Sequence, residues 1–279
     1  LFILLLLLFV CFFLVRWLSG LRSEPVGLWG AASSWLATPC LDAQLIFHST
    51  EDHDGRIELP PTLGNLSAPT VSRDARWVGA ASNDGLVNFY DLREGSRFVV
   101  PLGRLPSRLE PHVSPGGRWA ALANTLVGME SQSILGELEL TGGESPEASH
   151  SCWLADGTLI LAGHSREGEE SSALSLWEAD SDALHRWVDA PGEAPSPTVP
   201  LSIGQHSRVG QLAAHPDRRA FFVLDVKRGI TAFAGPDLAE AWHVTNDWGT
   251  SRLTVAGDEL FAIGMDGLVH VLETRTGAS

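Results

Sequence analysis

Two short stretches with the same pattern indicate how this chain is built: SRDARW at residues 72–77 and SPGGRW at residues 114–119. Each begins with serine, continues with residues that favour turns, and ends in arginine and tryptophan before a run of small apolar residues. Ser114 follows Ser72 at a distance of 42 positions. A period of about 20–50 residues is typical of proteins that stack one structural unit several times. The repeat is therefore the first constraint on the fold.

Similar units continue toward the C-terminus at nearly the same spacing. A third begins near Trp153, 39 positions after the second, and a fourth and a fifth begin at His215 and Val255, 40 positions apart. The longer interval before His215 contains two stretches rich in polar residues, glycine and proline. We interpret them as an extended loop at residues 164–172 and a linker at residues 189–200.

Each unit consists of short strand-like runs joined by tight turns. Residues 78–92 hold two β-rich runs on either side of the Asn-Asp-Gly turn at residues 83–85, whose glycine supplies the positive φ that a hairpin requires. Residues 40–60 contain another such hairpin, so that repeated units fill residues 27–279. Helical periodicity is nearly absent after the N-terminal segment, and a short helix is expected only at residues 27–37.

Four-stranded units of about 40 residues predict a β-propeller, because one unit cannot bury both of its faces and must stack against neighbours around an axis. We therefore expect an all-β fold with about six blades, or seven, of four strands each. Aromatic residues that recur near the inner strands, among them Phe221 and Phe261, are expected to pack between blades. The structural repeat positions are Ser72, Trp77, Asp84, Gly85, Asp91, Ser114, Trp119, Trp153, Asp156, Gly157, Asp266 and Gly267.

These motifs resemble known propeller repeats. SPGGRWAALAN and SRDARWVGAASNDG are similar to the unit of TolB-like and WD40-like propellers. DGLVNFYDLREG resembles the end of a WD40 repeat, with Tyr90-Asp91 in place of the usual Trp-Asp, and DGLVHVLETRTG also resembles a quinoprotein-type repeat. The resemblance covers most of residues 66–279. It implies a rigid surface for binding partners more than a particular reaction, since a fold does not by itself give a function.

The N-terminus has a different character from the repeats. Residues 1–15 read LFILLLLLFVCFFLV and are followed by Arg16, Trp17 and Arg22. A membrane-spanning helix needs about 20 apolar residues, arginine can extend to the headgroups, and tryptophan favours the interface. We expect a transmembrane helix with its flank at residues 1–22, and the arginines favour the main domain on the cytoplasmic or matrix-like side. The alternative is a cleaved secretory signal, but no small-x-small cleavage site follows directly.

The charge of the chain excludes one class of partner. The sequence has 34 acidic and 19 basic residues, a net charge of −15, and Lys227 as its one lysine. Nucleic-acid binding requires clustered lysine and arginine that displace counterions from phosphates, and no such cluster is visible. No nucleic-acid partner is expected.

Candidates for catalysis, metal binding and disulfide formation are few. GHSREG at residues 163–168 does not have the spacing of a serine-hydrolase elbow, and the ten histidines form no HxH or HExxH motif. In EDHDG, Asp52 and Asp54 are weak candidates for a cation site ahead of a glycine, and the alternative is a solvated hairpin turn. Cys40 and Cys152 form a disulfide or are two small buried residues. No catalytic residue, cofactor or resident metal is expected.

These observations divide the chain into a transmembrane helix and flank at 1–22, a linker or short helix at 23–39, and a propeller at 40–279. The predicted function is non-enzymatic: a single-pass membrane protein that acts as a scaffold or accessory subunit of a larger complex in an organelle inner membrane, with the mitochondrial one favoured, or in a bacterial envelope. Its partners are the lipid bilayer and other membrane subunits, contacted by the helix and the propeller surface. The alternatives are a ligand- or cofactor-binding propeller and a trafficking or envelope adaptor.

Overall fold

The chain is described here by a computed structural model, which is all-β apart from one short helix in the residues it describes. Those residues are 29–32, 35–39, 45–49, 56–59, 69–74, 76–82, 85–102, 110–138, 147–164, 173–179, 181–189, 198–205, 209–225, 228–245 and 249–279.

The described strands form six antiparallel sheets, and strands that follow one another in the chain are neighbours in the sheet. The first sheet contains β1 (Trp29–Ala32), β2 (Trp35–Pro39), β3 (Leu45–Ser49) and β4 (Arg56–Leu59). The second contains β5 (Thr70–Val71), β6 (Trp77–Ala81), β7 (Leu86–Asp91) and β8 (Ser96–Pro101). The third contains β9 (His112–Val113), β10 (Trp119–Leu122), β11 (Thr125–Gly128) and β12 (Ser133–Glu137).

The C-terminal half continues in the same way. The fourth sheet contains β13 (Glu147–Trp153), β14 (Leu159–His164), β15 (Ala173–Ala179) and β16 (Thr198–Gln205), and the helix α1 (Ser181–Asp189) connects its last two strands. The fifth contains β17 (Val209–Ala214), β18 (Ala220–Asp225), β19 (Gly229–Ala234) and β20 (Ala239–Val244). The sixth has three described strands, β21 (Thr250–Ala256), β22 (Glu259–Gly264) and β23 (Val269–Glu273).

The first strands of the six sheets contact one another in sequence. β1 contacts β5, β5 contacts β9, β9 contacts β13, β13 contacts β17, β17 contacts β21, and β21 contacts β1. The sheets are therefore arranged around an axis, with their first strands innermost, as in a propeller. In this order the second sheet lies opposite the fifth, and the third lies opposite the sixth. The prediction of an all-β, propeller-like fold is confirmed.

The apolar core lies between neighbouring sheets. One cluster joins the second, third and fourth sheets and contains Trp77, Trp119 and Trp153. Another joins the fourth and fifth sheets around Phe221, and a third joins the fifth and sixth around Phe222. Because each cluster draws side chains from more than one sheet, a single sheet cannot bury its apolar residues alone.

Two segments differ from the sequence-based expectations. Residues 29–39, expected as a linker or short helix, contain β1 and β2. Antiparallel pairing of β1 with β2 and of β2 with β3 outweighs the weak local preference of this alanine-containing segment. The helix α1 was not predicted, and β16 begins inside the expected linker at 189–200. With nine residues α1 has too few turns for a clear helical period, yet Leu184 is fully buried and Trp187 packs on the same core.

The predicted anchor, residues 1–22, lies outside the described residues. Within the described ranges, no helix combines the length and the apolar character that a membrane crossing requires.

Candidate functional site

The two copies of the serine-to-tryptophan motif form equivalent hairpins between the first and second strands of their sheets. The Ser72 hydroxyl accepts the backbone N–H of Trp77 at 2.8 Å, and the Ser114 hydroxyl accepts that of Trp119 at 3.2 Å. In each copy the serine N–H donates to the tryptophan carbonyl at 2.8 Å. Both serines are buried. The motif is thus a turn in which a side chain satisfies a buried backbone donor.

The third and fourth repeats close the same turn with other residues. The Leu154 N–H donates to the Thr158 carbonyl at 2.8 Å, and the His215 N–H donates to the Ala220 carbonyl at 2.9 Å. Leu154 and His215 therefore occupy the position of the serines. Trp153 precedes this position at the end of β13 and is not the counterpart of Trp77. Its indole N–H instead donates to the His112 carbonyl at 2.8 Å, which joins the fourth sheet to the third.

The turns between first and second strands gather at one end of the molecule, which we call the turn face. Charged side chains from these turns form ion pairs between different sheets. These pairs are Arg73 with Asp217, Arg219 with Asp156, and Arg218 with Asp258. The first of them joins the second and fifth sheets, which are opposite each other in the ring.

Asp91, a predicted repeat position, holds the turn after β7. Its Oδ2 accepts from the Arg76 Nε at 2.8 Å, and its Oδ1 accepts the backbone N–H groups of Arg93 and Glu94 at 2.9 and 3.2 Å. Burial by itself would raise the pKa of Asp91, but these hydrogen bonds and the Arg76 charge outweigh it, so that the pKa of Asp91 is lowered. The carboxylate of Asp91 therefore has a structural role: as an anion it stabilises the turn after β7.

A second ion pair between opposite sheets lies at the inner strands. Glu110, just before β9, pairs with Arg252 of β21, and their side chains are only 7% and 21% exposed. The third and sixth sheets, which contribute these residues, lie opposite each other in the ring. We call Glu110, Arg252 and their neighbours His112 and His150 the axial cluster. Because a buried carboxylate needs a counter-charge, Arg252 stabilises Glu110 and ties the two sheets together.

His112 does not supply that counter-charge. Its Nε2 lies 3.9 Å from the Glu110 Oε2. Burial, and to a lesser extent repulsion from His150, lower the pKa of His112 to about 4. The imidazole is therefore neutral near pH 7, and the guanidinium of Arg252 is the cation that compensates Glu110.

Further polar contacts join neighbouring inner strands. The Gln211 Oε1 accepts the backbone N–H of Leu253 at 2.7 Å, which links the fifth and sixth sheets. The Thr70 hydroxyl donates to the carbonyl of Pro111, which links the second and third. These two side chains therefore hold neighbouring sheets together, and their role is hydrogen bonding between sheets.

The other predicted positions either lie in turns of the described hairpins or fall outside the described residues. Asp156 and Asp266 accept backbone N–H groups in their own turns, from Thr158 at 2.9 Å and Leu268 at 3.0 Å. Gly85, Gly157 and Gly267 have positive φ in their turns, as a hairpin requires. Asp84, Asp52, Asp54 and Cys40 lie outside the described residues.

Cys152 on β13 is a free, buried thiol that forms no disulfide, and burial raises its pKa above the ordinary value. Among the described residues, no three histidine, cysteine or acidic side chains come together in a way that could hold a metal ion.

Sequence reasoning did not identify Glu110, His112 and Arg252. The two members of the pair are separated by 142 positions, and neither lies in a recurring motif. Only the closure of the ring brings them together, so that no local signal could have found them.

One part of the described surface is apolar. Met265, Leu268 and Val269 are 83%, 60% and 45% exposed, and they are three of the five large exposed hydrophobic residues in the described ranges. All three belong to the hairpin that joins β22 to β23. We call them the apolar patch of the sixth sheet. Clustered exposed apolar residues are typical of interaction sites.

No protein-family model matches the chain, and no curated protein is significantly similar to it.

Proposed function

We propose that this protein is a non-enzymatic, membrane-anchored β-propeller that serves as a scaffold or accessory subunit of a larger membrane protein complex. The observation that supports this most is the ion pair between Glu110 and Arg252, which joins opposite sheets at the inner strands. The polar side chains of the described inner strands hold the sheets of the ring together. Partners therefore bind at the turn face and at the outer edges of the sheets. A rigid ring with charged and apolar outer surfaces suits an interaction platform.

The remaining features of the proposal come from the sequence. The six sheets are the blades of a WD40-like or TolB-like propeller, and residues 1–22 form its single membrane anchor. The anchor packs against helices of other subunits, because helices in a bilayer associate through close side-chain packing. The location is an organelle inner membrane, with the mitochondrial one favoured, or a bacterial envelope.

A separation of native membrane complexes tests this proposal. The full chain carries a C-terminal tag, the membranes are dissolved in a mild detergent, and the complexes are separated on a native gel and identified by mass spectrometry. We expect one band far above the 30.0 kDa of the chain, with a fixed set of co-migrating subunits. A chain that migrates at its own mass in the mildest detergent contradicts the proposal.

A matched control separates the two modes of contact. In the control, residues 1–22 are replaced by an unrelated single-span helix, which preserves membrane attachment. If the propeller surface carries the main contact, this control still enters the complex. If the anchor carries it, the control migrates alone while the native chain does not.

One observation favours a second candidate, a propeller that binds a small ligand near its axis. Glu110, His112, His150 and Arg252 bring polar side chains together from three sheets. The test is native mass spectrometry of the purified chain. A bound small species that is lost in Arg252→Met supports this candidate, and an unmodified chain mass supports the scaffold.

A further inference from the structure

The end of the molecule opposite the turn face holds a different set of connections. Strands within each sheet are antiparallel, so the turns between second and third strands lie at this end, and the first strands begin there. We call it the entry face. The start of β1 at Trp29 and the turn between β22 and β23 therefore belong to the same face. Because β21 contacts β1, the sixth sheet is also the direct neighbour of the first sheet in the ring.

The apolar patch of the sixth sheet lies on the entry face. Met265 and Leu268 lie in the turn after β22, and Val269 begins β23. The same four residues, Asp-Gly-Leu-Val, lead into β7 of the second sheet. There Leu86 is half-buried and Val87 is fully buried. The copy in the sixth sheet thus exposes apolar side chains that the copy in the second sheet covers.

The chain enters β1 from the entry face after a short stretch of sequence. Residues 23–28 separate the expected membrane segment, residues 1–22, from Trp29. A fully extended stretch of this length spans at most about 20 Å, since each residue covers about 3.3–3.6 Å. An anchor at residues 1–22 therefore keeps the start of β1 within about 20 Å of the bilayer. The entry face is thus the part of the propeller that can rest on a membrane.

The charges of the hairpin suit a lipid surface without net charge. Asp266 is the one charged residue between Met265 and Val269. The His270 Nε2 lies 3.0 Å from the Asp266 Oδ2, and the other carboxylate oxygen accepts the Leu268 N–H at 3.0 Å. The carboxylate is therefore held within the hairpin. The net charge of the whole chain, −15, repels anionic headgroups, so that a zwitterionic lipid such as phosphatidylcholine fits this surface better.

We propose that the entry face of the propeller rests on the bilayer and that the apolar patch inserts into the interfacial region. Apolar side chains gain free energy when they leave water for the boundary between headgroups and acyl chains, to a depth of about 5–10 Å. The anchor supplies proximity, because tethering raises the effective concentration of the patch at the surface. The contact sets the ring upright on the membrane and presents the turn face to partner subunits. This inference rests on the proposed membrane-anchored role and names the surface with which the propeller meets the lipid.

Fluorescence quenching by lipid tests this contact in the full chain, reconstituted into phosphatidylcholine vesicles. A polarity-sensitive label is attached in Leu268→Cys, with Cys11 and Cys40 replaced by alanine and the buried Cys152 retained. We expect its emission to shift to the blue and to be quenched by lipids that carry a spin label at the top of the acyl chain. The control site is Asp237→Cys, which is exposed between β19 and β20 on the turn face. A label there should be neither shifted nor quenched.

Two variants show whether the patch itself makes the contact. Met265→Glu places a charge in the patch and should strongly reduce the quenching of the label at position 268. Ile134→Glu is the matched control, because Ile134 is 44% exposed but lies on β12 of the third sheet, and it should keep the quenching. Equal quenching in the two variants overturns the proposal. So does a label at position 268 that is quenched no more than the label at position 237.

One further outcome identifies a different occupant. A blue shift at position 268 without quenching by lipid shows that protein covers Leu268, either residues of this chain or a second copy, and overturns the contact with the bilayer.

Flotation of the vesicles in an alkaline density gradient separates this inference from the proposed function. A chain that floats, but whose label at position 268 is not quenched, keeps its anchor and rejects only the contact of the entry face. A chain that does not float rejects the membrane anchor and the contact together.

A chain that floats and is quenched at position 268, but not at position 237, supports both.

Discussion

Ser72 and Ser114 each place a buried hydroxyl against the backbone N–H of the tryptophan five positions later. The tight turn leaves these N–H groups facing inward, away from water. A serine at this position satisfies them without adding bulk between the first two strands of the sheet. The serine recurs in these two copies of the motif because each turn needs a small side chain that accepts a hydrogen bond from a buried N–H.

Replacement of Ser72 by alanine should remove this partner and leave the Trp77 N–H buried and unsatisfied. We expect the free energy of unfolding to fall by about 1–3 kcal/mol, the typical cost of such a group. Urea denaturation followed by tryptophan fluorescence measures the change. Ser133→Ala is the control, because the hydroxyl of the exposed Ser133 has, among the described residues, the Ser131 hydroxyl as its one hydrogen-bond partner. An equal loss in both variants contradicts the role of the Ser72 hydroxyl.

Asp91 should make stability depend on pH in the acid range. Its pKa is lowered in the folded protein, so its carboxylate stabilises the fold above the ordinary value of 3.8, and this contribution is lost as the pH falls through the lowered value. Asp91→Asn should therefore be destabilised at neutral pH and show a flatter loss of stability below about pH 4. Urea denaturation at several pH values measures both effects. The control Asp237→Asn changes an exposed aspartate and should lose less stability at neutral pH than Asp91→Asn. A native pH profile in Asp91→Asn contradicts the structural role of its carboxylate.

At the scale of strands and turns, Gly95 and Gly277 occupy the same place in their repeats but have different surroundings. Both have positive φ, +65° and +70°. A Cβ at Gly95 would meet nothing within 4 Å, whereas a Cβ at Gly277 would lie 2.8 Å from the Trp242 ring. The same ring donates its N–H to the Thr274 carbonyl at 3.0 Å and thereby joins the fifth and sixth sheets.

Alanine at each glycine should separate backbone strain from steric clash. Gly95→Ala should cost about 1–2 kcal/mol, the typical penalty of a left-handed conformation. Gly277→Ala carries the same strain and in addition displaces Trp242, so its loss should be larger by about 1–3 kcal/mol. Thermal and urea denaturation of the two variants give the difference. Equal losses indicate that Trp242 moves aside at no cost.

The hairpins could be predicted from sequence because a turn leaves a local signature. The glycine at position 85 has the positive φ expected for its turn, and β3 and β4 pair across the hairpin expected within residues 40–60. The helix α1 and the strands β1 and β2 could not be predicted in the same way. Each owes its structure to a partner outside itself: α1 to the core around Trp119, β1 to pairing with β2, and β2 to pairing with β3.

At the scale of the whole molecule, the ring brings together what the sequence keeps apart. A repeat of about forty residues predicts the stacking of similar units, because each must bury its faces against the next. It says nothing about which side chains meet across the axis, since these come from different repeats at unrelated positions. The pairing of Glu110 with Arg252 can therefore be identified only from the structure. Their pairing supports the view of the molecule as a closed platform that contacts partners with its outer surfaces.

A double-mutant cycle tests most directly whether this pair fastens opposite sheets. Glu110→Gln, Arg252→Gln and the double variant are compared with the native chain by urea denaturation. Removal of Arg252 alone leaves a buried carboxylate unpaired and should cost about 3–5 kcal/mol. The control cycle uses Arg73 and Asp217, whose side chains are 50% and 61% exposed. That exposed pair should couple by less than about 1 kcal/mol. We expect a coupling energy well above this for Glu110 and Arg252, and losses of the single variants that add to within about 0.5 kcal/mol contradict a fastening role of the pair.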